Sequence, residues 1–218
     1  MFARLTGCLL YTSDGLPERF ILSVGTIEER KNLLLAVKAV EKLDGVHLVA
    51  IGKSTDYAKK VQDYVEAHGL ENRVHIIHNL KFGDLPILYH LASLFVYPSR
   101  FEGFGIPIVE ALSAGVPVIA STGSCLEEAG GEHSIYVDPD DVEGMANAMK
   151  KVLADEHLRR EMIEKGKEYV VRFDPKTLAD EMNAVYLKCF DDKTFTEDRF
   201  VQTSSNKRTK ISHYLPFF

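Results

Sequence analysis

Residues 97–121, with the sequence YPSRFEGFGIPIVEALSAGVPVIAS, indicate the fold of this chain more clearly than any other stretch. They start at the end of an apolar strand and pass through a loop with two glycines. A helix over 106–114 then leads into a second buried strand over 116–120. Pro107 suits the first turn of that helix, where its missing N–H costs nothing, and Gly115 suits the position after the helix end. This pattern predicts a strand, a helix and a second strand, with a glycine loop at the start of the helix.

The rest of the chain alternates in the same way between short apolar runs and segments with helical periodicity. The predicted strands are continuously apolar, and each is followed by a helix. This combination predicts a parallel sheet covered by helices on both faces. The expected fold class is therefore α/β, a doubly wound, Rossmann-like parallel sheet of about six strands, in which ligands bind outside the carboxyl ends of the strands. The predicted strands are 20–24, 46–51, 74–77, 94–97, 116–120 and 134–137, and the predicted helices are 32–43, 55–68, 84–92, 106–114, 126–129, 142–153, 155–171 and 176–190.

Composition and charge limit the possible functions. The chain has 218 residues with 26 Lys and Arg against 32 Asp and Glu, a net charge of −6, so no basic footprint for nucleic acid is expected. No apolar run is long enough for a membrane span, and the first residues are too weakly apolar for a signal peptide, which favours a cytoplasmic chain. The three cysteines, Cys8, Cys125 and Cys189, are far apart and predict reduced thiols acting as small hydrophobes.

The glycine loop, Gly103-Phe104-Gly105, follows a strand and opens a helix. Glycines let a ligand approach the backbone closely, and the free N–H groups and dipole of a helix start favour negative charge, so a phosphate fits there. The alternative is that the glycines only make the turn. No G-x-G-x-x-G follows the first strand and no G-x-x-x-x-G-K-[ST] occurs, which argues against a nicotinamide cofactor and a P-loop.

Arg30 and Lys31 lie at the start of the first predicted helix, where the helix macrodipole disfavours cations. A bound anion would offset that cost. Because both residues follow the carboxyl end of the first strand, they are expected at the same edge of the sheet as the glycine loop. The alternative is a solvated charged loop, because Glu28 and Glu29 stand beside them.

Two glutamates, Glu102 and Glu110, are eight residues apart, one in the loop and one just inside the helix. This spacing suggests that they contact different parts of one ligand, and a carboxylate is suited to accept hydrogen bonds from vicinal hydroxyls such as those of a ribose. The alternative for Glu110 is a favourable charge near a helix N-terminus. Histidines and acids nowhere have the spacing of metal ligands, so no metal is expected.

Taken together, these residues resemble the donor-binding half of the retaining glycosyltransferases of the GT-B fold, glycosyltransferase family 4 or "glycosyl transferases group 1". The resemblance runs from about Phe20 to Phe190. Its motifs are SVGTIEERKN at 23–32, the run 84–99 that opens with DLP and ends with PS, E-x7-E at 102–110, GVPVIAS at 115–121 and YVDP at 136–139.

The resemblance implies a role for each matched residue. Lys31 and Glu102 would be the catalytic residues, with Lys31 and Arg30 on the donor diphosphate and Glu102 against the transferred sugar. Many relatives have a Gly-Arg pattern where this chain has Thr26 and Ile27 after Gly25, so the phosphate charge would rest more heavily on Arg30 and Lys31. That variant resembles a mannosyltransferase-like branch. The implied donor-binding residues also include Gly25 and Thr26, beside Arg30 and Lys31. Asn79 and Leu80 would lie near the base, and Glu110 would bind the ribose. Gly103, Phe104 and Gly105 would contact phosphate and sugar.

The implied activity is transfer of a hexose from a GDP- or UDP-linked sugar to an acceptor hydroxyl with retained configuration and no other cofactor. The expected domain is 19–190, between a leader remnant over 1–18 and a tail over 191–218. Enzymes of this class have two domains, so the isolated chain is expected to be inactive without an N-terminal domain that binds the acceptor glycan or lipid. Peripheral association with the inner membrane is an option for the full-length enzyme. The alternative is a stand-alone nucleotide-sugar binding or interaction module.

Overall fold

A parallel six-stranded sheet forms the centre of the fold in the computed structural model, which describes residues 16–191. The strands are β1 (Ile21–Val24), β2 (Leu48–Ile51), β3 (Val74–Ile77), β4 (Leu94–Tyr97), β5 (Val118–Ser121) and β6 (Ile135–Val137). They are ordered β3-β2-β1-β4-β5-β6, and every neighbouring pair is parallel. The predicted fold class is confirmed. Successive strands are added on one side of β1 as far as β3 and on its other side from β4 onwards, so the strand order reverses between β1 and β4.

Helices connect the strands and cover both faces of the sheet. Several begin with the capping chemistry that the sequence offers, as at Asp141, whose carboxylate accepts a hydrogen bond from the Gly144 N–H at 2.8 Å. In the unit that ends at Val171, the helices are α1 (Leu33–Glu41), α2 (Asp56–Ala67), α3 (Leu85–Leu91), α4 (Ile106–Ser113), α5 (Leu126–Gly130), α6 (Val142–Ala154) and α7 (Glu156–Val170).

Two hydrophobic cores lie on opposite faces of the sheet because successive strand residues point to opposite sides. Within β1, Ile21 belongs to the core beneath α1, α2 and α6, whereas Leu22 belongs to the core beneath α3, α4 and α5. The same division continues along β4, where Leu94 and Phe95 go to different cores. Burial on both faces explains why the strands read as continuous apolar runs.

A second unit of the chain begins at Arg172, and its described part contains the helix α8 (Pro175–Asp191). Large apolar side chains of this helix are exposed, namely Leu178, Met182, Val185, Tyr186 and Leu187. Apart from 16–18 and 191, the predicted leader and tail lie outside the described residues. The proposed division at 19 and 190 therefore stays a prediction.

The segment before α1 differs from the sequence expectation. Glu29–Lys31 form a single 3-10 turn, and α1 begins only after Asn32, which has a left-handed φ of 56°. The Asn32 side chain donates a hydrogen bond to the Pro139 carbonyl at 2.8 Å, which helps to hold this uncommon conformation for a residue other than glycine. Arg30 and Lys31 therefore lie one turn before α1 rather than in its first turn.

Candidate functional site

Two loops meet at the carboxyl edge of the sheet, where the strand order reverses. One loop follows β1 over residues 25–32, and the other follows β4 over residues 98–105. The backbone joins them, because the Arg100 N–H donates a hydrogen bond to the Arg30 carbonyl at 2.9 Å. This is the crevice in which open α/β sheets bind ligands.

The Glu102 carboxylate lies at the centre of the contact between the loops. Its Oε1 atom accepts from Ser99 Oγ at 2.6 Å, from Lys31 Nζ at 2.6 Å and from Arg30 Nη1 at 3.0 Å. Only 11% of the Glu102 side chain is exposed. Burial opposes ionisation of the carboxyl, but the hydrogen bonds from Lys31, Ser99 and Arg30 outweigh burial and lower the pKa of Glu102. The site thus holds one shielded carboxylate and two cations.

We expect Glu102→Gln to lower the free energy of unfolding by about 1–3 kcal/mol at pH 6 and by progressively less towards pH 3. A carboxyl whose pKa is lowered by folding stabilises the fold above its unfolded pKa of about 4.3 and loses that contribution as the pH falls through its folded value. Urea unfolding between pH 3 and pH 6 measures this. Glu28→Gln is the control, because Glu28 also binds Arg30 but is 35% exposed. Parallel curves for wild type and Glu102→Gln would contradict the expectation.

Lys31 is held between Glu102, Tyr97 at the end of β4 and Gly25, which follows β1. Its Nζ atom donates to the Tyr97 hydroxyl at 2.5 Å and lies 4.9 Å from the centre of that ring. Its aliphatic stem passes over Gly25, where a Cβ would lie 3.5 Å from the Lys31 carbons. Tyr97 is itself buried, and burial raises the pKa of its hydroxyl, so the phenol stays neutral while a lone pair of its oxygen accepts this bond. These contacts therefore fix the position of the ammonium group.

The glycine loop is attached to the start of α5. Cys125 Sγ donates to the Glu102 and Phe104 carbonyls, both at 3.1 Å, and Ser124 Oγ accepts from the Glu102 N–H at 3.2 Å. The prediction that Cys125 acts as a small hydrophobe is therefore incomplete, because its thiol contacts polar backbone groups. Gly105 precedes α4 with a φ of 125°, a conformation that side chains rarely adopt.

Gly103→Ala is expected to weaken nucleotide binding about tenfold, a loss of about 1.4 kcal/mol, with little change in stability. A Cβ at Gly103 meets nothing within 4 Å, so it would occupy only open space beside the backbone, where the sequence predicts a phosphate. Gly105→Ala is the comparison, because its Cβ would lie 3.0 Å from that of Ala129 and its φ is unfavourable, so it should lose about 1–3 kcal/mol of stability. Thermal unfolding and calorimetric titration separate the two effects. Unchanged binding by Gly103→Ala would contradict the placement of phosphate at this loop.

Glu110 lies on α4, apart from the Glu102 group. Its Oε2 atom accepts a hydrogen bond from the Tyr89 hydroxyl at 2.8 Å. Both residues line a cavity of about 350 Å³ between α3 and α4, whose other walls include Leu85, Pro86 and Val109. The two glutamates of the E-x7-E pattern thus stand in different surroundings, one among cations and one beside an apolar cavity.

The remaining predicted donor residues follow strands at the same edge of the sheet. Thr26 is the second residue after β1, and Asn79 is exposed after β3. Leu80 packs against the core beneath α3, α4 and α5, and His78 Nδ1 lies 3.0 Å from the Gly52 carbonyl. Their roles in binding a donor stay predictions.

Sequence reasoning missed the residues that hold the predicted ones in place. Tyr89, Tyr97, Ser99, Ser124 and Cys125 all make polar contacts in or beside the site. Tyr89 and Tyr97 belong to apolar segments and read as core residues. The one available signal was the position of Tyr97 and Ser99 around the carboxyl end of a strand, where binding residues concentrate.

Between 16 and 191, no group of three or more His, Cys, Asp or Glu side chains could hold a metal ion. No helix in this range has the length and apolar character needed to cross a membrane.

Comparison with known proteins identifies a family and a fold. The family model described as "Glycosyl transferases group 1" matches residues 14–169. Among curated relatives, the O-antigen chain mannosyltransferase RfbU of Salmonella typhimurium is 35% identical over 158 residues, covering 72% of this chain and 44% of that protein. The chain therefore spans less than half the length of this relative.

Solved structures share the fold. Sucrose-phosphate synthase from Thermosynechococcus elongatus aligns with a TM-score of 0.74 at 28% identity, over 82% of this chain and 48% of the other. The C-terminal domain of the glycosyl transferase group 1 family protein LpcC from Francisella tularensis aligns with a TM-score of 0.66 at 22% identity. That match covers 74% of this chain and 89% of the other.

Proposed function

The chain belongs to the glycosyl transferases group 1 family, and from this membership and the geometry of the site we propose that it is the donor-binding half of a glycosyltransferase. The whole enzyme transfers a hexose from a nucleoside diphosphate sugar, GDP- or UDP-linked, to an acceptor hydroxyl with retained configuration. Mannose is the hexose we propose, because the relative RfbU is an O-antigen chain mannosyltransferase.

One observation carries the proposal. Arg30 and Lys31 converge on the loop of Glu102 at the point where the strand order reverses. Two cations beside a glycine loop form a site for a group with several negative charges, because charge-assisted hydrogen bonds to phosphate are about twice as strong as neutral ones. A diphosphate has the charge and the length to contact both the cations and the backbone N–H groups of residues 103–105.

The same groups supply the catalytic effect. As the bond between the sugar and the diphosphate breaks, the leaving oxygen gains negative charge, which Lys31, Arg30 and the loop N–H groups stabilise from fixed positions. Both cations bind Glu102 in the structure, so a diphosphate competes with that carboxylate for them. Glu102 retains Ser99 as a partner and faces the sugar that is transferred.

The rest of the donor extends along the same edge of the sheet. Glu110 accepts hydrogen bonds from the ribose hydroxyls, and Asn79 and Leu80 border the base. Gly25 and Thr26 lie beneath the phosphates, and the stem of Lys31 passes over Gly25 at ordinary van der Waals distance.

The acceptor, a glycan or a lipid, is bound by a domain that faces this edge. Two large apolar side chains that flank the glycine loop, Phe101 and Ile106, are 65% and 64% exposed, which suits a surface covered by such a domain. The chain alone should then bind a donor but transfer no sugar. Release of nucleoside diphosphate with an acceptor mixture measures this, and transfer by the isolated chain would refute the need for a further domain.

Isothermal calorimetry with GDP-mannose, UDP-glucose and UDP-N-acetylglucosamine tests the proposed function. At least one donor should bind, and Glu110→Ala should weaken it about 10- to 100-fold, the cost of one or two hydrogen bonds to a charged group. Glu71→Ala, at an exposed turn after α2, is the matched control. Binding of none of the three donors, or binding that Glu110→Ala leaves unchanged, would contradict the assignment.

A further inference from the structure

The contact between Tyr89 and Glu110 joins a buried side chain to an exposed one. The Tyr89 ring is 3% exposed and lies 5.5 Å from the centre of the Phe95 ring, at an angle of 49°. Packing of this kind fixes the hydroxyl at one point relative to the sheet. Glu110, by contrast, is an exposed residue on the surface of α4.

The hydroxyl of Tyr89 needs an acceptor, because a buried donor without one costs about 1–3 kcal/mol. Glu110 Oε2, at 2.8 Å, is the acceptor that the structure provides. Within residues 16–191, this hydrogen bond joins the Glu110 side chain on α4 to a buried side chain on α3. The phenol thus selects the orientation of a carboxylate that would otherwise move freely in water.

A free glutamate loses about 1.5–2 kcal/mol of rotamer entropy when it is fixed. If the phenol has already fixed the side chain, a ligand that binds Glu110 does not have to supply that cost. Glu110 Oε1 and the second lone pair of Oε2 remain able to accept hydrogen bonds. A carboxylate arranged in this way suits two vicinal hydroxyls.

We propose that Tyr89 is a positioning residue, whose buried hydroxyl holds Glu110 in the orientation that accepts the ribose hydroxyls and so makes the site selective for ribonucleotides over dideoxyribonucleotides. This inference rests on the proposed function, because it requires a nucleoside diphosphate at the site. Selectivity follows because a site arranged to bind a hydroxyl rejects the analogue that lacks it.

Tyr89→Phe keeps the ring and removes only the hydroxyl, so the test compares GDP and UDP with their 2′,3′-dideoxy counterparts on the full chain. We expect the Kd for the ribonucleotide to rise about 5- to 20-fold, because binding would then have to fix the Glu110 rotamer at a cost of about 1–2 kcal/mol. The Kd for the dideoxynucleotide should stay the same. Tyr89→Phe combined with Glu110→Ala should bind no more weakly than Glu110→Ala alone.

Tyr64→Phe is a matched control, because the Tyr64 hydroxyl donates to Glu41 Oε2 at 2.5 Å in an equivalent pair away from the site. It should leave both affinities unchanged. Glu110→Asp gives a second test that does not alter the core. It withdraws the carboxylate from both the phenol and the ribose, so it should reduce the preference for ribose at least as much as Tyr89→Phe does.

Full preference for ribose in Tyr89→Phe or in Glu110→Asp would overturn the inference, and the proposed function would stand if Glu110→Ala still weakened binding. Absence of binding by every nucleotide would overturn both.

Discussion

Replacing Lys31 with alanine should lower the affinity of the chain for a nucleoside diphosphate sugar by about 30- to 100-fold, or about 2–3 kcal/mol. Lys31 is the cation that the site holds most firmly, because its ammonium group contacts Glu102 and Tyr97 and only 16% of its side chain is exposed. The mutation would remove the positive charge that is held in place to contact a phosphate. Isothermal calorimetry with the donor that binds wild type measures the change.

Lys59→Ala is the matched control for Lys31→Ala. Lys59 makes an ion pair of the same length, 2.6 Å, with Asp63, but 78% of its side chain is exposed and it lies on the outer surface of α2. We expect this variant to bind the donor as wild type does. Equal affinity of the Lys31→Ala variant and wild type would show that the diphosphate does not bind Lys31.

Gly52→Ala should have the largest effect on stability, about 2–4 kcal/mol of the free energy of unfolding. Gly52 follows β2, and a Cβ there would lie 1.8 Å from the Gly25 carbonyl oxygen and 2.6 Å from its carbon. Backbone atoms cannot rotate away as a side chain can, so the loops after β1 and β2 would have to separate. Because Gly25 supports the stem of Lys31, donor affinity should fall as well.

Gly83→Ala is the control for Gly52→Ala, because a Cβ at Gly83 meets nothing within 4 Å. Urea unfolding of both variants measures the difference, with Gly83→Ala expected within about 0.5 kcal/mol of wild type. A Gly52→Ala variant as stable as wild type would contradict the close approach of the two loops.

The sequence predicted the fold well because buried parallel strands have a strong signature. Apolar runs such as those at 46–51 and 74–77 indicated β2 and β3, and Gly115 was expected after α4, where it has a φ of 73°. The strand order could not be read from these runs, because an apolar run indicates burial but not the neighbouring strand. The left-handed Asn32 was also missed, since the Pro139 carbonyl that binds it is 107 positions away.

The candidate site was predicted in part. Arg30, Lys31 and Glu102 were singled out from their positions after strands, and the structure places them in contact. The groups that orient them escaped sequence reasoning, because Tyr97 looks like any other residue of a buried strand. A tyrosine in the core shows its polar role only when its hydroxyl is seen to meet a charged partner.

A structure of the chain with a bound nucleoside diphosphate sugar tests the central claim most directly. The account predicts the diphosphate within hydrogen-bonding distance of Lys31 Nζ, the Arg30 guanidinium and the backbone N–H groups of residues 103–105, with the ribose on Glu110. A donor bound elsewhere on the chain, with Lys31 and Arg30 still on Glu102 and no phosphate beside them, would contradict it.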